Sequence, residues 1–553
     1  MNNIKQISNM HKIRNNQDLE NTSLISEMIL FQGETCHWQV VLTTDCHKHF
    51  SVKLSSQLKD YIEIYQVGNV IMDMPVVYGY TQCTNYITKE PGAMPDILTP
   101  FDIENDKIRV NEDAVVLWIK LNLPKDISAG KYDVGLEFER FFPFDPPGEG
   151  EECTLHTNMT IDVMPVLSPE QKTKFTQWFH TDCISSIHNV EIFSEKHWEL
   201  IDKYMAMASE LGINMILTPV ITPPLDTAVG IRRPNVQLVK IEKNGSKYTF
   251  DFTLLKKWID LAKKNNMKYF EISHLFSQWG LKCAPNIYVY ENGVGSYMFG
   301  WHVSSRAPEY ADFLAQFIPE LIEFLKSEDI SENCYFHISD EPNRDHLEAY
   351  NYAKSLIKPL IGNLKTIDAL STPDFYTSGV VEIPVPGINH IGEFLELDVP
   401  ERWTYYCCSQ AEKVTNRFLA MSLGRTRIIG LQMYKYGIEG FLQWGYNYYY
   451  SQFSRSLINP YVTTSANQAF PSGDTFTVYP GIDGPLPSMR GYVFKQALQD
   501  IEICRMLEER IGHDAVVSLI EEVAGMSITF EEYPSDNDFV PNVINIIKDK
   551  IRN

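Results

Sequence analysis

The hydrophobic pattern of the chain changes once, near Pro165, and this change constrains the fold more than any other feature. Before Pro165 the sequence holds short β-type runs separated by turns, such as residues 34–42, 61–72 and 115–123, and no helical pattern of normal length interrupts them. Such spacing is typical of an antiparallel β-sandwich. After Pro165, β-type runs alternate with stretches of helical period, which indicates a parallel sheet with helices outside it.

Eight candidate strands lie in the part of the chain after Pro165. They cover residues 175–180, 215–220, 269–276, 334–338, 366–370, 404–408, 440–443 and 476–479. Eight strands favour a closed (β/α)₈ barrel of the TIM type over an open doubly wound sheet, and neither of the usual glycine-rich nucleotide motifs is present. We therefore predict a multidomain chain, with an antiparallel β-sandwich in residues 1–165 and a (β/α)₈ barrel with C-terminal helices in residues 166–553.

A smaller unit can be predicted within the β-sandwich. Residues 116–121 and 132–138 are both β-type runs, and the small residues at 128–130 between them indicate a turn. We expect the two runs to form a hairpin-like unit.

Two adjacent carboxylates, Asp340 and Glu341, follow the fourth candidate strand, residues 334–338. In a barrel of repeating βα units the carboxyl ends of the strands face the active site, so the pair is expected at its mouth. The alternative is a solvated helix start, since Asp-Glu pairs before a proline are common on protein surfaces. The predicted barrel favours the functional interpretation.

Composition excludes some classes of function. The net charge is −23, with 48 Lys and Arg against 71 Asp and Glu, which argues against a nucleic-acid partner because binding phosphates needs a basic surface. No run is long enough to span a bilayer, and the first 20 residues lack the apolar core of a secretory signal. The ten cysteines show no C-x-x-C spacing and fit reduced thiols. We expect a cytoplasmic protein without a stable membrane anchor.

A metal site is not expected. Cys46, His47 and His49 lie close together in the sequence, but no second cluster completes a tetrahedral set of ligands. We therefore predict no metal and no organic cofactor.

Adjacent carboxylates suit one type of glycoside hydrolysis in particular. Conventional retaining and inverting glycosidases need carboxyl groups about 5–5.5 Å or 6.5–9.5 Å apart across the sugar, which neighbours on one strand cannot easily provide. In substrate-assisted hydrolysis the 2-acetamido oxygen of the sugar attacks the anomeric carbon instead. One carboxyl group then protonates the leaving oxygen while its neighbour orients the acetamide and stabilises the positive oxazolinium.

The sequence resembles glycoside hydrolase family 123, the β-N-acetylgalactosaminidases. The similarity is carried by five segments: residues 123–132, 337–342, 440–447, 473–481 and 488–490. The segment at 123–132 is a turn that many β-sandwich modules share, and residues 499–502 depart from the family pattern. The resemblance implies that Glu341 is the general acid/base, that Asp340 orients the acetamide, and that the substrate is a glycan or glycolipid with terminal β-linked N-acetylgalactosamine. It implies an exo-acting enzyme that retains configuration.

Aromatic and hydrogen-bonding residues near the predicted strand ends are candidates for binding a sugar, because pyranose rings pack on aromatic faces and polar side chains read the hydroxyls. These candidates are Trp178, His180, His274, Trp279, Tyr405, Tyr406, Trp444 and Asn447. A barrel of this size also needs buried aromatics, so roughly half of them are expected in the core or behind the pocket wall. A tyrosine hydroxyl on the acetamide oxygen would help its attack, and the sequence does not choose between Tyr405 and Tyr406.

Two alternatives remain open at this point. One is a β-N-acetylglucosaminidase, because the residues do not distinguish galacto from gluco stereochemistry. The other is a carbohydrate-binding protein whose acidic pair is inert, because a fold does not guarantee a function. Neither the natural aglycone nor the oligomeric state can be read from the sequence.

Overall fold

Two five-stranded sheets form the first part of the protein. The computed structural model describes residues 3–20, 22–44, 47–77, 79–80, 83–111, 114–141 and 154–553. The first ten strands are β1 (Asn3–Ser8), β2 (Glu27–Gln32), β3 (Thr35–Thr43), β4 (Lys48–Ser56), β5 (Ile62–Met72), β6 (Gly92–Pro100), β7 (Ile108–Val110), β8 (Val115–Asn122), β9 (Gly130–Phe141) and β10 (Thr154–Leu167). Their order is β1-β3-β8-β5-β6 in one sheet and β2-β10-β9-β4-β7 in the other.

These sheets confirm the prediction of antiparallel β-structure, with one exception. All their strand pairs are antiparallel apart from β10 with β2. Alternate side chains from both sheets, including Trp38, Phe50, Leu117, Phe138 and Ile161, share one buried cluster. Burying one face of each sheet against the other is what the alternating pattern provides.

The predicted hairpin of residues 116–121 and 132–138 is wrong. β8 pairs with β3 and β5 on its two sides, whereas β9 pairs with β10 and β4 in the other sheet. Both edges of β8 are already occupied, so the turn at residues 128–130 carries the chain from one sheet to the other.

The second part holds the remaining strands and the helices. Its strands are β11 (Lys174–Gln177), β12 (Met215–Thr218), β13 (Lys240–Asn244), β14 (Lys247–Asp251), β15 (Tyr269–Ile272), β16 (Ile287–Glu291), β17 (Val294–Phe299), β18 (Cys334–Phe336), β19 (Lys365–Leu370), β20 (Ile383–Pro386), β21 (Trp403–Tyr405), β22 (Gly440–Gln443), β23 (Tyr479–Pro480) and β24 (Pro485–Leu486). Its α-helices are α1 (Thr181–His188), α2 (Glu195–Glu210), α3 (Thr253–Lys264), α4 (Pro308–Ser327), α5 (Leu347–Ile361), α6 (Asp374–Thr377), α7 (Gly392–Leu395), α8 (Leu423–Arg427), α9 (Ile429–Lys435), α10 (Met489–Ile511), α11 (His513–Ala524) and α12 (Phe539–Arg552).

Eight of these strands form a nearly closed parallel barrel. Their order is β20-β19-β18-β15-β12-β11-β22-β21, and every pair is parallel. The two end strands meet through a parallel bridge between Gly387 and Tyr405, where the Ile388 amide donates to the Tyr405 carbonyl at 3.0 Å. All eight strands therefore direct their carboxyl ends to the same side, as the sequence predicts.

One of the eight predicted strands is wrong. Residues 476–479 do not enter the barrel, because Phe476 forms an isolated antiparallel bridge with Asn447 and Tyr479 pairs with Leu486 of β24 in a separate two-stranded sheet. The place in the barrel is taken by β20, which pairs with β19. Pro384 and Pro386 lack the amide hydrogen that a strand ladder uses, so the β20 sequence does not resemble a strand.

Buried polar pairs join the two parts of the chain. Arg490 in α10 donates to both carboxylate oxygens of Asp96 in β6, from Nε at 2.9 and 3.0 Å. Lys548 in α12 donates to Glu34 at 2.6 Å. The boundary at residue 165 stays a prediction, and β10 ends at Leu167 while β11 begins at Lys174.

Two expectations concern a membrane-spanning helix and the state of the cysteines. Among the described residues, no helix has the length and apolar character needed to cross a membrane. Eight cysteines in the described part of the chain are free thiols, whereas Cys46 and Cys153 lie outside it.

Candidate active site

A pocket opens at the carboxyl ends of the barrel strands, with about 560 Å³ of space that is partly open to solvent. Its lining comes from the ends of barrel strands and from the segments that follow them: Trp178, Leu225, Asp226, Gln278, Trp279, Asp340, Glu341, Ala369, Tyr405, Cys407, Cys408, Leu442, Trp444 and Phe470. The acidic pair therefore lies in an aromatic pocket.

Asp340 and Glu341 both follow β18, but their hydrogen-bond donors come from different strands of the barrel. The Gln278 amide, in the segment after β15, donates to Asp340 Oδ2 at 2.5 Å. The Tyr405 hydroxyl, at the end of β21, donates to Glu341 Oε1 at 2.8 Å. The backbone of Glu341 has φ 45°, a left-handed conformation that is uncommon outside glycine. The two neighbouring carboxyl groups thus have separate partners and can act on different atoms of one ligand.

Burial makes both carboxyl groups weaker acids than a carboxyl group in water. Desolvation raises the pKa of Asp340 well above its ordinary value, and the neighbouring Glu341 carboxylate adds to the rise. Desolvation also raises the pKa of Glu341, while hydrogen bonds from Tyr405 and Trp279 oppose that rise. Ionising both carboxyl groups in a poorly solvated pocket is unfavourable, so the pair retains one proton that the two groups share.

Four of the eight predicted sugar-binding residues line this pocket: Trp178, Trp279, Tyr405 and Trp444. Trp279 is 41% exposed and stands at the rim, where it meets Phe453 edge to face with ring centroids 5.8 Å apart. Tyr405 is the tyrosine that faces the acidic pair. Tyr406 packs on Phe441 on the opposite side of the strand, at 4.8 Å between ring centroids.

The other predicted residues lie behind the pocket wall. Asn447 bridges the backbone of His180, accepting from its amide at 2.8 Å and donating to its carbonyl at 3.1 Å. The ring of His180 in turn contacts the Trp444 carbonyl at 2.9 Å and the Arg233 guanidinium at 3.0 Å. These contacts hold together the segments after β11 and β22, which carry Trp178 and Trp444.

His274 belongs to a polar layer inside the barrel, below the pocket. Its ring stacks on His337 with centroids 4.4 Å apart. His337 Nε2 donates to Glu271 at 2.8 Å, and its Nδ1 lies 3.9 Å from Asp368. We call Glu271, His337 and Asp368 the buried triad. Burial lowers the pKa of His337, but hydrogen bonds and charge from Asp368 and Glu271 outweigh this and raise the pKa to about 9.

Sequence reasoning missed Asp226 and Gln278. Asp226 is 6% exposed, and its Oδ2 accepts from the Tyr448 hydroxyl at 2.6 Å and from the Phe453 amide at 2.9 Å. The Asp226 amide donates to Gln278 Oε1 at 2.6 Å, so Gln278 connects it to Asp340. Both residues follow predicted strands, 215–220 and 269–276, by only a few positions. Polar residues just after barrel strands are the signal that could have identified them.

No described group of three or more His, Cys, Asp or Glu side chains has the arrangement of a metal site. Asp340 and Glu341 accept hydrogen bonds from neutral side chains instead.

Two comparisons with known proteins found matches. The model of a family described as glycoside hydrolase 123, catalytic domain, matches residues 178–507. Among solved structures, the chain is similar to a family 123 glycoside hydrolase from Clostridium perfringens, described for the hydrolysis of glycolipid glycans. The two share 16% sequence identity with a TM-score of 0.73 over 100% of this chain and 98% of that chain.

A second solved structure, Bacteroides thetaiotamicron EndoBT-3987, covers 83% of this chain and 96% of its own at 8% identity. Its TM-score of 0.25 is too low to support an argument. No curated protein sequence matches this one.

Proposed function

The chain belongs to glycoside hydrolase family 123, and we propose that it is an exo-acting, retaining β-N-acetylgalactosaminidase that works through an oxazoline intermediate. The observation that carries the proposal is the placement of Asp340 and Glu341 side by side in one pocket, with a different hydrogen-bond donor on each. Substrate-assisted hydrolysis needs two carboxyl groups with different tasks at neighbouring positions.

The first step uses the proton that the pair retains. Glu341 gives its proton to the leaving glycosidic oxygen while the acetamide oxygen of the substrate attacks the anomeric carbon. Asp340 accepts a hydrogen bond from the acetamide N–H and stabilises the positive charge that develops on the oxazolinium. In the second step, Glu341 takes a proton from a water molecule that opens the oxazolinium from the face the aglycone has left. Two inversions at the anomeric carbon give net retention.

Substrate binding also settles which carboxyl group holds the proton. Before substrate binds, desolvation and the Glu341 charge favour a protonated Asp340. An acetamide N–H that donates to Asp340 favours the ionised form of that side chain, because a hydrogen bond to the charged form lowers the pKa. The shared proton then remains on Glu341, where protonation of the leaving group needs it.

Trp178, Trp279 and Trp444 supply the apolar part of the sugar site. Trp178 is oriented from behind, since its indole N–H donates to Glu271 at 2.9 Å, and the indole N–H of Trp444 donates to Asp474, also at 2.9 Å. With the indole nitrogens engaged, these rings can offer apolar surface to a pyranose. The Tyr405 hydroxyl donates to Glu341 at 2.8 Å, so it can approach the acetamide group of a sugar that binds against the acidic pair.

A glycan or glycolipid is the proposed substrate class, and terminal β-linked N-acetylgalactosamine is the proposed sugar. The family supports this choice, whereas the pocket residues alone do not distinguish N-acetylgalactosamine from N-acetylglucosamine.

Release of nitrophenol from the two β-N-acetylhexosaminide substrates tests the proposal. Wild-type protein should hydrolyse the galacto substrate in preference to the gluco substrate, and Glu341→Gln should lose most of that turnover. Glu320→Gln, on the exposed face of α4, is the matched control and should behave as wild type. Turnover of the gluco substrate alone would identify a β-N-acetylglucosaminidase. Sugar binding without any turnover would identify a carbohydrate-binding protein.

A further inference from the structure

Two adjacent thiols line the sugar pocket, and the proposed hydrolysis uses neither of them. Cys407 and Cys408 follow the end of β21, two and three residues after Tyr405, and both contribute to the wall that Asp340 and Glu341 share. Cys407 is 8% exposed, and Cys408 is half-buried. Reagents that enter the pocket can therefore reach this pair.

The backbone around the pair is fixed. The Cys407 amide donates to the Gln410 side chain at 2.8 Å, and the Asn416 side chain donates to the Cys407 carbonyl at 2.9 Å. The Cys408 Sγ lies 3.9 Å from the Ser409 Oγ. Both cysteines line the same pocket, so a ligand bound there lies against both of them.

A disulfide is not the favoured product of this arrangement. Neighbouring Cα atoms across a trans peptide are about 3.8 Å apart, shorter than the roughly 4.4–6.8 Å that disulfides usually span. An atom that bonds to both sulfurs relaxes this restriction, because the sulfurs need not touch. Sulfur ligands prefer soft, polarisable partners.

We propose that Cys407 and Cys408 form a dithiol site that captures a trivalent organoarsenical and thereby blocks the sugar pocket. An arsenoxide, R–As=O, reacts with the two thiols to form two As–S bonds. The two S–H bonds break, and their protons leave with the arsenoxide oxygen as one water molecule. Arsenic stays trivalent, so the reaction needs no oxidant or reductant.

The bidentate bond gives the site its selectivity. Once one sulfur has bound, the second reacts within the same molecule, and a linked second contact of this kind strengthens binding by about 10²–10⁴-fold. Most other thiols in the described part of the chain are buried: Cys36, Cys83, Cys183, Cys334 and Cys504. Cys283 is half-buried but does not line this pocket, so a reagent there can form only one As–S bond.

Phenylarsine oxide added to the full-length reduced protein tests the proposal, with intact mass and nitrophenol release as separate readouts. One phenylarsenic group should be gained, peptide mapping should place it on Cys407 and Cys408, and most turnover should be lost. Cys407→Ser and Cys408→Ser should each require about 100-fold more reagent for the same occupancy. Cys283→Ser is the matched control and should bind the reagent as wild type does. A dithiol such as 2,3-dimercaptopropanol should remove the group.

The mass readout does not depend on any enzymatic activity, so failure of the dithiol site and failure of the proposed hydrolase can be distinguished. An adduct that forms equally well in Cys407→Ser, or that maps to another cysteine, would overturn the proposal. A complete adduct on the pair that leaves turnover unchanged would also overturn it. If the protein shows no turnover, a complete adduct that leaves sugar binding unchanged would overturn it.

Discussion

The barrel holds two sets of acidic residues, one above the other, and they differ in how their charge is balanced. Below the pocket, the buried triad places His337 between Glu271 and Asp368, so a cation meets two carboxyl groups. In the pocket, Asp340 and Glu341 accept hydrogen bonds from the neutral side chains of Gln278 and Tyr405. Both sets are buried, yet only the lower one contains its own counter-charge.

This difference separates stability from chemistry. In the triad, burial raises the pKa of Asp368, but the hydrogen bond and charge of His337 limit the rise to about 6. A buried carboxyl group without a cationic partner keeps a proton and can give it to a substrate. The two sets also influence each other, because the charge on His337 opposes the rise in the pKa of Asp340.

The largest effect is expected from changes to the pocket pair, and it should depend on the leaving group. Glu341→Gln should slow hydrolysis by about 10²–10⁴-fold for a poor leaving group, because the leaving oxygen then lacks its proton donor. The loss should be much smaller for a dinitrophenyl glycoside, which leaves without protonation. Asp340→Asn should slow both substrates by about 10²–10³-fold, because the positive intermediate loses its stabilising charge. Single-turnover rates on both glycosides measure this difference between the two variants.

Stability provides the control for this first prediction. Each change removes a carboxyl group whose burial favours the neutral form, so neither variant should unfold at a lower temperature than wild type. Equal losses on the two glycosides in Glu341→Gln would contradict its role as the acid.

The next largest effect is expected in the buried triad, and there it concerns folding. Glu271→Gln removes one of the two carboxylates that balance His337, and it also weakens the acceptor of the Trp178 indole. Breaking one partner of a buried ion pair typically costs about 3–5 kcal/mol, so the free energy of unfolding in urea should fall by that amount.

A double-mutant cycle with His337→Gln sharpens this second prediction. Glu271→Gln should cost much less in the His337→Gln protein than in wild type, because the unbalanced cation is then absent. A Glu271→Gln protein as stable as wild type would show that the triad carries no such charge.

A smaller effect is expected when pH is changed. The pKa of His337 is raised from 6.5 to about 9, so the folded protein holds a proton that the unfolded chain releases between these values. The stabilisation is fully present below pH 6.5 and is lost as the pH rises through about 9, which amounts to about 3 kcal/mol. Urea unfolding at a series of pH values measures this loss.

The acidic pair also releases protons as the pH rises, so the measurement is best made in Asp340→Asn/Glu341→Gln protein. Burial lowers the pKa of Lys12 to about 7 and that of Lys495 to about 8, and these shifts make stability rise over the same pH range. The contribution of His337 is therefore the difference in pH dependence between this protein and the same protein with His337→Gln. An identical pH dependence between pH 6.5 and 9 in the two proteins would contradict the prediction.

Strand periodicity predicted most of the barrel, and it failed where side chains and backbone give conflicting signals. Seven of the eight predicted strands overlap strands that enter the barrel. β20 was missed because Pro384 and Pro386 disfavour the hydrogen bonds of a strand ladder. The prolines are tolerated because β20 pairs with β19 on one side, while the barrel closes on its other side through a single bridge.

Within the candidate site, the sequence could place Asp340 and Glu341 at a strand end but could not choose between neighbours. Successive strand residues point to opposite faces, and a one-residue uncertainty in register exchanges them. Tyr405 faces the pocket and Tyr406 packs on Phe441 for this reason. The position of Asp226 just after a predicted strand was a usable signal, but its partners, Tyr448 and Phe453, lie more than 200 positions further along the chain, so the sequence does not show what it contacts.

Asp226 gives the smallest predicted effect, and it tests whether a third carboxylate belongs with the pocket pair or with the triad. Its Oδ2 is occupied by Tyr448 and Phe453, whereas no described residue donates to Oδ1, which leaves that atom for a sugar hydroxyl. A hydroxyl is bound equally in the ground state and the transition state, so Asp226→Asn should raise KM by up to about tenfold and change kcat little. The same measurement on galacto and gluco substrates should show a changed preference if Asp226 contacts the hydroxyl at C4. A fall in kcat at constant KM would instead place Asp226 with Asp340 and Glu341, and a loss of stability without any kinetic change would place it with the triad.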